Sequence, residues 1–466
     1  MGVRAITPEE TEVVQQLVGR ARRAMEAIAH LRQEDVDRLC RGVAWAAANP
    51  ETSVRLANMS VDETGMGSRE PSRRSKVLGI LRDALRQKSM GIIEEIPEKG
   101  IVKYAKPAGV IAALIPVTSP YITPIGIAIY AIKCKDAVVF SPHPASRRTT
   151  FETVRLMRTA LGRLGVPEDV LQCVEHPSIP LAKELMASCD LTIATGGQQM
   201  VRAAYSSGKP AYGVGAGNAT MIIDETANIE EAARNTALSK TNDYGSGCSA
   251  DGNLLVDERI YDALVRQLQL EGGYLCSPRE KELLRAAYWD AEGRRTPDTI
   301  ARPASVVAQK AGFAIPDNTT FLMVEETQIG KEHLFSTEKL GTVLALFKYR
   351  GFDMALDMVR QIFETGGKGH SCGIYSFDDD HIHRLALVAP VSRIMVRQVQ
   401  SRSNAGSFTN GMPMTSSMGC GIWGGNITNE NISLKHYMNV TWVSRPIPED
   451  RPSEKELFGE FYNTAI

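Results

Sequence analysis

The chain has little that would mark it for a membrane, a nucleic acid or a metal. No apolar run approaches the roughly 20 residues that a bilayer-spanning helix needs. The opening stretch, MGVRAITPEETEVVQQLVGR, lacks the apolar core of a secretion signal and turns almost at once into an amphipathic helix. Charge of one sign is missing too: 53 basic and 54 acidic residues leave a formal net charge of −1. Without a basic surface or an acidic tail, nucleic acid is excluded as an expected partner. The eight cysteines include no CxxC pair, which argues against a zinc site and against a disulfide framework. The histidines have no metal-ligand spacing, and His381 and His383 fall in a polar turn, DDDHIH, where solvation is expected. The dinucleotide fingerprint GxGxxG follows none of the expected strands. There is no internal repeat and no low-complexity segment. These absences leave a reduced, cytoplasmic protein with no metal.

What is present reads as a large α/β protein. With 466 residues, 43% hydrophobic and 23% charged, the chain suits two or three domains. Apolar spacing predicts helices within residues 9–48 and over Arg73–Lys88. Gly100–Ala105 reads as a short strand. Val110–Ile115 (VIAALI) and Ala137–Phe140 (AVVF) are unbroken apolar runs, as in strands covered on both faces. They end in Pro116-Val117-Thr118-Ser119-Pro120 and Ser141-Pro142-His143-Pro144, and a helix follows each. Leu171–Val174 and Leu191–Ala194 repeat the pattern, and Thr195-Gly196-Gly197 opens one more helix. Four such units predict an open, mostly parallel sheet with ligands at the carboxyl ends of its strands. Gly213-Val214-Gly215-Ala216-Gly217 reads as a crossing between domains, not as part of a strand. A second α/β pattern runs from Thr220, with strands over Thr342–Phe347, Cys372–Ser376 and Arg393–Val399. Polar Gly293–Pro303 reads as a surface loop or a disordered segment. Ser401–Asn431, rich in Gly, Ser, Thr and Asn, reads as a long functional loop. Tyr437–Ser444 is strongly strand-forming and has no neighbouring strand, so a partner subunit is expected to pair with it. Glu454–Phe461 reads as a frayed end.

One stretch concentrates the chemistry. In Lys240–Asn253 (KTNDYGSGCSADGN), Cys248 sits among Gly245, Gly247 and Gly252, between a helix over Ile229–Leu238 and a strand that starts at Leu254. Such a turn can expose sulfur beside backbone N–H groups, which would favour a thiolate before reaction and an oxyanion after it. The same residue could instead simply fill a turn.

The landmarks agree in order and spacing with a known family. Pro107-Ala108-Gly109-Val110-Ile111, the 116–120 turn, Thr195-Gly196-Gly197, the 213–217 crossing, Cys248 and Glu338-Lys339-Leu340-Gly341 together resemble the aldehyde dehydrogenase superfamily. Gly367-Lys368-Gly369-His370-Ser371 and Gly419-Cys420-Gly421-Ile422-Trp423-Gly424-Gly425-Asn426 are similar to its CoA-acylating branch. That branch includes sulfoacetaldehyde, succinate semialdehyde and acetaldehyde dehydrogenases.

The resemblance implies an aldehyde dehydrogenase-like α/β fold. A cofactor-binding, open parallel-sheet domain would span 1–219, with an arm strand near 100–105. A catalytic α/β domain would span 220–409. Residues 410–466 would return to the first domain and supply an oligomerisation strand, giving a homodimer or homotetramer. Cys248 is the implied nucleophile, Thr118 stands where the hydrolytic branch keeps an asparagine oxyanion donor, and His370 lies near the active site. Ser141, His143, Thr195, Gly196, Gly197, Gly215, Glu338 and Leu340 are the implied cofactor-binding positions. Hydrolytic members carry a water-activating glutamate at the position of Gly213, and glycine cannot take a proton. The thioester on Cys248 would therefore wait for CoA.

With no acid in Ser141–Pro144, and with Arg147 and Arg148 nearby, NADP is expected to be accepted alongside or in preference to NAD. Arg393, Arg397 and Arg402 could pair with a sulfonate or carboxylate on a short aldehyde. Two further readings stay open. A hydrolytic aldehyde dehydrogenase is opposed by Gly213, and a non-catalytic cofactor-binding or assembly protein by Cys248 and Glu338.

Overall fold

The computed structural model describes residues 4–464; residues 1–3, at the head of the expected first domain, and 465–466, at the end of the expected last segment, lie outside the described residues. Two antiparallel strands come first, β1 (Gly91–Ile96) and β2 (Ile101–Pro107). Five parallel strands follow: β3 (Val110–Ile115), β4 (Ala137–Pro142), β5 (Leu171–Cys173), β6 (Leu191–Thr195) and β7 (Ala211–Val214). They pair in the order β5-β4-β3-β6-β7. Every residue of β3 and β4 is buried, as continuous apolar runs require when helices cover both faces.

A second parallel sheet has seven strands: β8 (Thr220–Ile223), β9 (Asn253–Asp257), β10 (Gly273–Leu275), β11 (Phe321–Glu326), β12 (Val343–Tyr349), β13 (Cys372–Tyr375) and β14 (Ile394–Val396). Their order is β10-β11-β12-β9-β8-β13-β14. Each of the two sheets has a separate apolar cluster on either face. Among the described residues no helix is long and apolar enough to cross a membrane.

Three expectations are corrected and one is narrowed. Tyr437–Ser444 does have a partner in its own chain: β15 (Met438–Ser444) pairs antiparallel with β2 from Met438↔Pro107 to Ser444↔Ile101. The partner lies more than 300 residues upstream, beyond the reach of local pattern. The 213–217 crossing begins inside a strand, because residues 211–214 form the edge of the five-stranded sheet. Of the two readings of Gly293–Pro303 the structure agrees with the surface loop: Arg294, Pro297 and Asp298 are exposed, while Arg295 bridges to Trp289 and Thr299 is buried. His381 is not solvated; its Nδ1 lies 2.8 Å from the buried Asp224 carboxylate, and its ring stacks on Phe352 at 3.8 Å.

The chain passes straight from β7 into residues 215–219 and on into β8. Because both sheets are parallel, this short link sets the carboxyl edge of the first against the amino edge of the second. One side of the resulting cleft is therefore built from strand ends and the other from strand beginnings.

Helix Pro50–Thr64 braces the first sheet from outside. Glu63 near its end accepts from the N–H groups of Arg148 and Thr149, both at 2.8 Å, and from the Thr149 hydroxyl at 2.7 Å. It thereby caps helix Arg147–Arg163, whose own N-cap residue makes no side-chain cap. This acid, contributed from far upstream, also stands close to Ser141–Pro144, which the local string showed as free of acids. Glu63→Ala should lower stability by about 1–2 kcal/mol, read as a reduced urea midpoint with an unchanged slope.

Candidate active site

The turn that carries Cys248 is held in an unusual shape. Asp243 (φ 52°), Tyr244 (φ 51°) and Gly245 (φ 68°) all lie in the left-handed region, which costs on the order of 1 kcal/mol or more for each non-glycine residue. Asp243 fastens the turn. Its carboxylate accepts from Ser68 N–H at 2.6 Å and from the Ser246 hydroxyl at 2.7 Å, and it pairs with Arg73 at 2.8 Å. Below the turn, a Cβ on Gly217 would lie 1.9 Å from the Cys248 carbonyl oxygen, so only glycine lets the inter-sheet link pass there. Two buried ammonium groups hold the surrounding backbone. Lys240 donates to Asp251 O at 2.8 Å, and Lys339 to Thr337 O at 3.0 Å and Asn253 Oδ1 at 3.1 Å.

His370 Nε2 lies 3.0 Å from Cys248 Sγ, and its Nδ1 lies 2.8 Å from Ser371 Oγ. The imidazole is positioned from behind by Arg393. This buried guanidinium donates to His370 O at 2.8 Å, Gly419 O at 2.6 Å and Asn429 O at 3.0 Å. Burial, then repulsion from Arg393, pushes His370 down to about 3. Burial, then the charges of Glu338 and Cys420, pushes the Cys248 thiol up to about 12 against the opposing pull of Lys76 and Arg73. The resting pair is therefore a neutral thiol on a neutral imidazole. This runs against the expected preformed thiolate: no described backbone N–H group donates to the sulfur, and desolvation disfavours its charge. The backbone N–H of Cys248 and the hydroxyl of Thr118 have no partner among the described residues, so both are available to an oxyanion.

Thr118, at the carboxyl end of β3, shares a small cavity with Arg73, Ser246, Met66 and Tyr121. Arg73 donates to Thr118 O at 3.1 Å and to the Ser246 hydroxyl. The three arginines expected to receive a substrate anion are occupied or distant. Arg393 holds three carbonyls, Arg397 lies 4.0 Å over the Phe377 ring, and Arg402 is exposed on the short helix Gln400–Ser403. Sequence reasoning missed Arg73, whose only local signal is a basic pair at the start of an ordinary amphipathic helix.

A cleft of about 960 Å³ opens between the two sheets. Gln198, Tyr205, Gly217, Arg295, Glu338 and Gly367 line it. Glu338 accepts from Gly217 N–H at 3.0 Å and pairs with Arg295 at 3.0 Å. Burial still holds its carboxyl above the ordinary range. Gly196 and Gly197 lead into helix Gln198–Tyr205, whose first N–H groups have no side-chain cap. Gly215 faces the Cys420 sulfur, 3.8 Å from where its Cβ would be. The remaining expected positions are less available. The Thr195 hydroxyl is bonded to Ser417 at 2.7 Å, Ser141 is buried, His143 accepts from Ala145 N–H at 3.1 Å, and the Leu340 carbonyl holds Ala301 N–H at 2.9 Å. A cleft of this volume with Arg202, Arg294, Lys331 and Lys368 on its walls, and with a carboxylate to receive ribose hydroxyls, fits a phosphorylated dinucleotide.

The position of Gly213 matters as much. A Cβ there would lie 2.6 Å from Val201 Cγ1 and 2.9 Å from the Tyr205 ring. The Tyr205 hydroxyl accepts from Gly213 N–H at 3.0 Å and donates to Gly213 O at 3.3 Å. The room a carboxylate would need is filled.

A model of the aldehyde dehydrogenase family matches residues 3–271. The chain is 42% identical to a sulfoacetaldehyde dehydrogenase of an Acholeplasma species, covering 95% of this chain and 93% of that protein. It is 39% identical to an acylating sulfoacetaldehyde dehydrogenase of Bilophila wadsworthia, covering 95% and 97%. Among solved structures it is similar to the propionaldehyde dehydrogenase of Rhodopseudomonas palustris with bound propionyl-CoA. The TM-score is 0.82 at 25% identity, covering 93% of this chain and 94% of that one.

Because the thiol is raised, its neutral form dominates at ordinary pH and the thiolate fraction grows as pH rises. Iodoacetamide alkylation of Cys248 should therefore climb about tenfold per unit from about pH 7 to about pH 9 without a plateau. Mass spectrometry of the Cys248 peptide reads this, and a plateau below about pH 8 would reveal a preformed thiolate.

Proposed function

The chain belongs to the aldehyde dehydrogenase family, and we propose that it is a CoA-acylating member that converts a short anionic aldehyde, CoA and NAD(P)+ to an acyl-CoA. The carrying observation is the pairing of a cysteine–histidine couple with a plugged Gly213 position. Cys248 can form a thioester, and the place of the water-activating carboxylate is closed by Val201 and Tyr205. The reaction is reversible, so an acyl-CoA could be reduced to the aldehyde by the same groups.

Cys248 Sγ attacks the aldehyde carbon. A C–S bond forms, the carbonyl π bond breaks, and the thiol proton passes to His370 Nε2. The new oxyanion is received by Cys248 N–H and the Thr118 hydroxyl. Glu338 and the uncapped start of helix Gln198–Tyr205 would hold the dinucleotide, which would supply the hydride acceptor; as the oxyanion collapses and the hydride departs, a thioester is left on Cys248. His370 gives up that first proton to solvent, and when CoA enters it accepts the CoA thiol proton as the CoA sulfur attacks the thioester carbon. The Cys248–acyl bond breaks and the cysteine sulfur leaves with that proton. His370 starts each cycle neutral, so its lone pair is free for both transfers.

NADP is accepted alongside NAD, supported by the exposed Arg147 and Arg148 and by the commitment of the Glu63 carboxylate to a helix start. The aldehyde carries a sulfonate or carboxylate, as in sulfoacetaldehyde. The molecule works as a homodimer or homotetramer; the supporting feature is the exposed strand β15, where Trp442, 59% exposed, lies beside Val440 on one face and exposed Val443 lies on the other. Its free, mostly buried cysteines suit the cytoplasm.

NAD(P)H absorbance with purified protein and a panel of short aldehydes tests the reaction. Turnover should require CoA and yield a thioester; equal turnover without CoA would overturn the acylating reading. In the same assay, kcat/KM for NADP should fall within about tenfold of that for NAD, and a far stronger NAD preference would remove NADP.

A further inference from the structure

We infer that Arg73 and Lys76, one turn apart at the start of helix Arg74–Leu85, form the seat for the anionic end of the aldehyde. This rests on the reading of Cys248 as the aldehyde-acylating nucleophile. Residues three apart on a helix share a face, and this face is turned toward the Cys248 loop. The Arg73 guanidinium lies 3.9 Å from where a Cβ on Gly247, the residue before the nucleophile, would be. It is held there by Thr118 O, Ser246 and Asp243. Its side chain is only 13% exposed, so it is rigidly presented at the entrance to the small cavity beside Thr118.

Lys76 differs from its neighbours in having nothing to hold. Its ammonium makes no hydrogen bond or ion pair with any described residue. Its ammonium is pushed down to about 8, first by burial and then by repulsion from Arg73; Cys248 and Asp243 are the groups that pull the other way. The local balance is thus two cations against one carboxylate, Asp243, with the neutral Cys248 thiol beside them. One unit of positive charge is left over on the helix face turned toward the Cys248 loop. The half-buried Lys76 ammonium has no partner among the described residues, and an arriving monoanion would supply one. A sulfonate or carboxylate one or two carbons from the reacting carbonyl has the right charge, and its oxygens can accept from both side chains at once. Arg393, Arg397 and Arg402 cannot take this part, for the reasons already given.

The test measures discrimination. Wild type and Lys76→Met are compared in kcat/KM for sulfoacetaldehyde, succinate semialdehyde and propionaldehyde, with CoA and cofactor saturating. The wild type should prefer the anionic aldehydes, and Lys76→Met should reduce that preference by about 10- to 100-fold, mostly through KM. Lys76→Arg should restore much of it. The two anions separate sulfonate from carboxylate selectivity. Inhibition by ethanesulfonate supplies a second measurement, with a Ki that should rise in Lys76→Met. An equal fall for charged and neutral aldehydes would make Lys76 a stabiliser of the thiolate and overturn the proposal, as would an unchanged ratio. If the wild type turns over no aldehyde, the reading of the site fails. If it turns over propionaldehyde as well as the anions, that reading stands and only the anion seat falls.

Discussion

Gly217 passes so close to the Cys248 carbonyl that the link between the two sheets and the catalytic turn occupy one space. The rest of the centre follows from that contact. The link fixes how far apart the sheets stand. Its Gly217 N–H holds Glu338 at 3.0 Å, so the carboxylate in the cleft and the turn that carries Cys248 are set from one peptide. The left-handed run over Asp243, Tyr244 and Gly245 then lifts the cysteine out of the line of its helix, and Asp243 and Arg73 keep it lifted. The strain at Asp243 and Tyr244 is offset by three polar contacts on a single carboxylate.

The opposed sheet edges explain where the functional groups come from. Thr118 follows β3 and Gly196–Gly197 follow β6, at strand ends, as parallel sheets lead one to expect. Cys248, Glu338 and His370 instead precede β9, β12 and β13. The second sheet offers its amino edge because the chain crosses between sheets without a helix to reverse the sense of the strands.

That arrangement also marks what could be read from the sequence. Cys248 was legible because glycines crowd it, and β3 and β4 because both faces are apolar. Glu338 and His370 were legible only through the ordered resemblance, since each alone looks like a solvated or structural side chain. The surroundings of the Cys248 loop were not legible. The alternating arginines at 393 and 397 drew attention, yet one fastens loop carbonyls and the other stacks on Phe377. Arg73 reaches the nucleophile across about 170 positions of sequence by the pairing of Asp243 with its guanidinium, and no local period reports such a contact. The thiolate expectation failed for a related reason: desolvation is set by everything packed around the sulfur, and a fourteen-residue string contains little of it. Register across β2 and β15 was invisible for the same cause of distance.

The plug at Gly213 has a consequence for how this enzyme could change. Tyr205 is tied to both the N–H and the carbonyl of residue 213, and Val201 stands beside it. A glutamate introduced at 213 alone would collide with both side chains before it could reach any water. Recovering hydrolysis would need the tyrosine, and the hydrogen bond its hydroxyl accepts from the Ile427 N–H, to be rebuilt in the same step. A single change at residue 213 therefore does not open the hydrolytic route, and at that position the commitment to a thiol acceptor behaves as a ratchet.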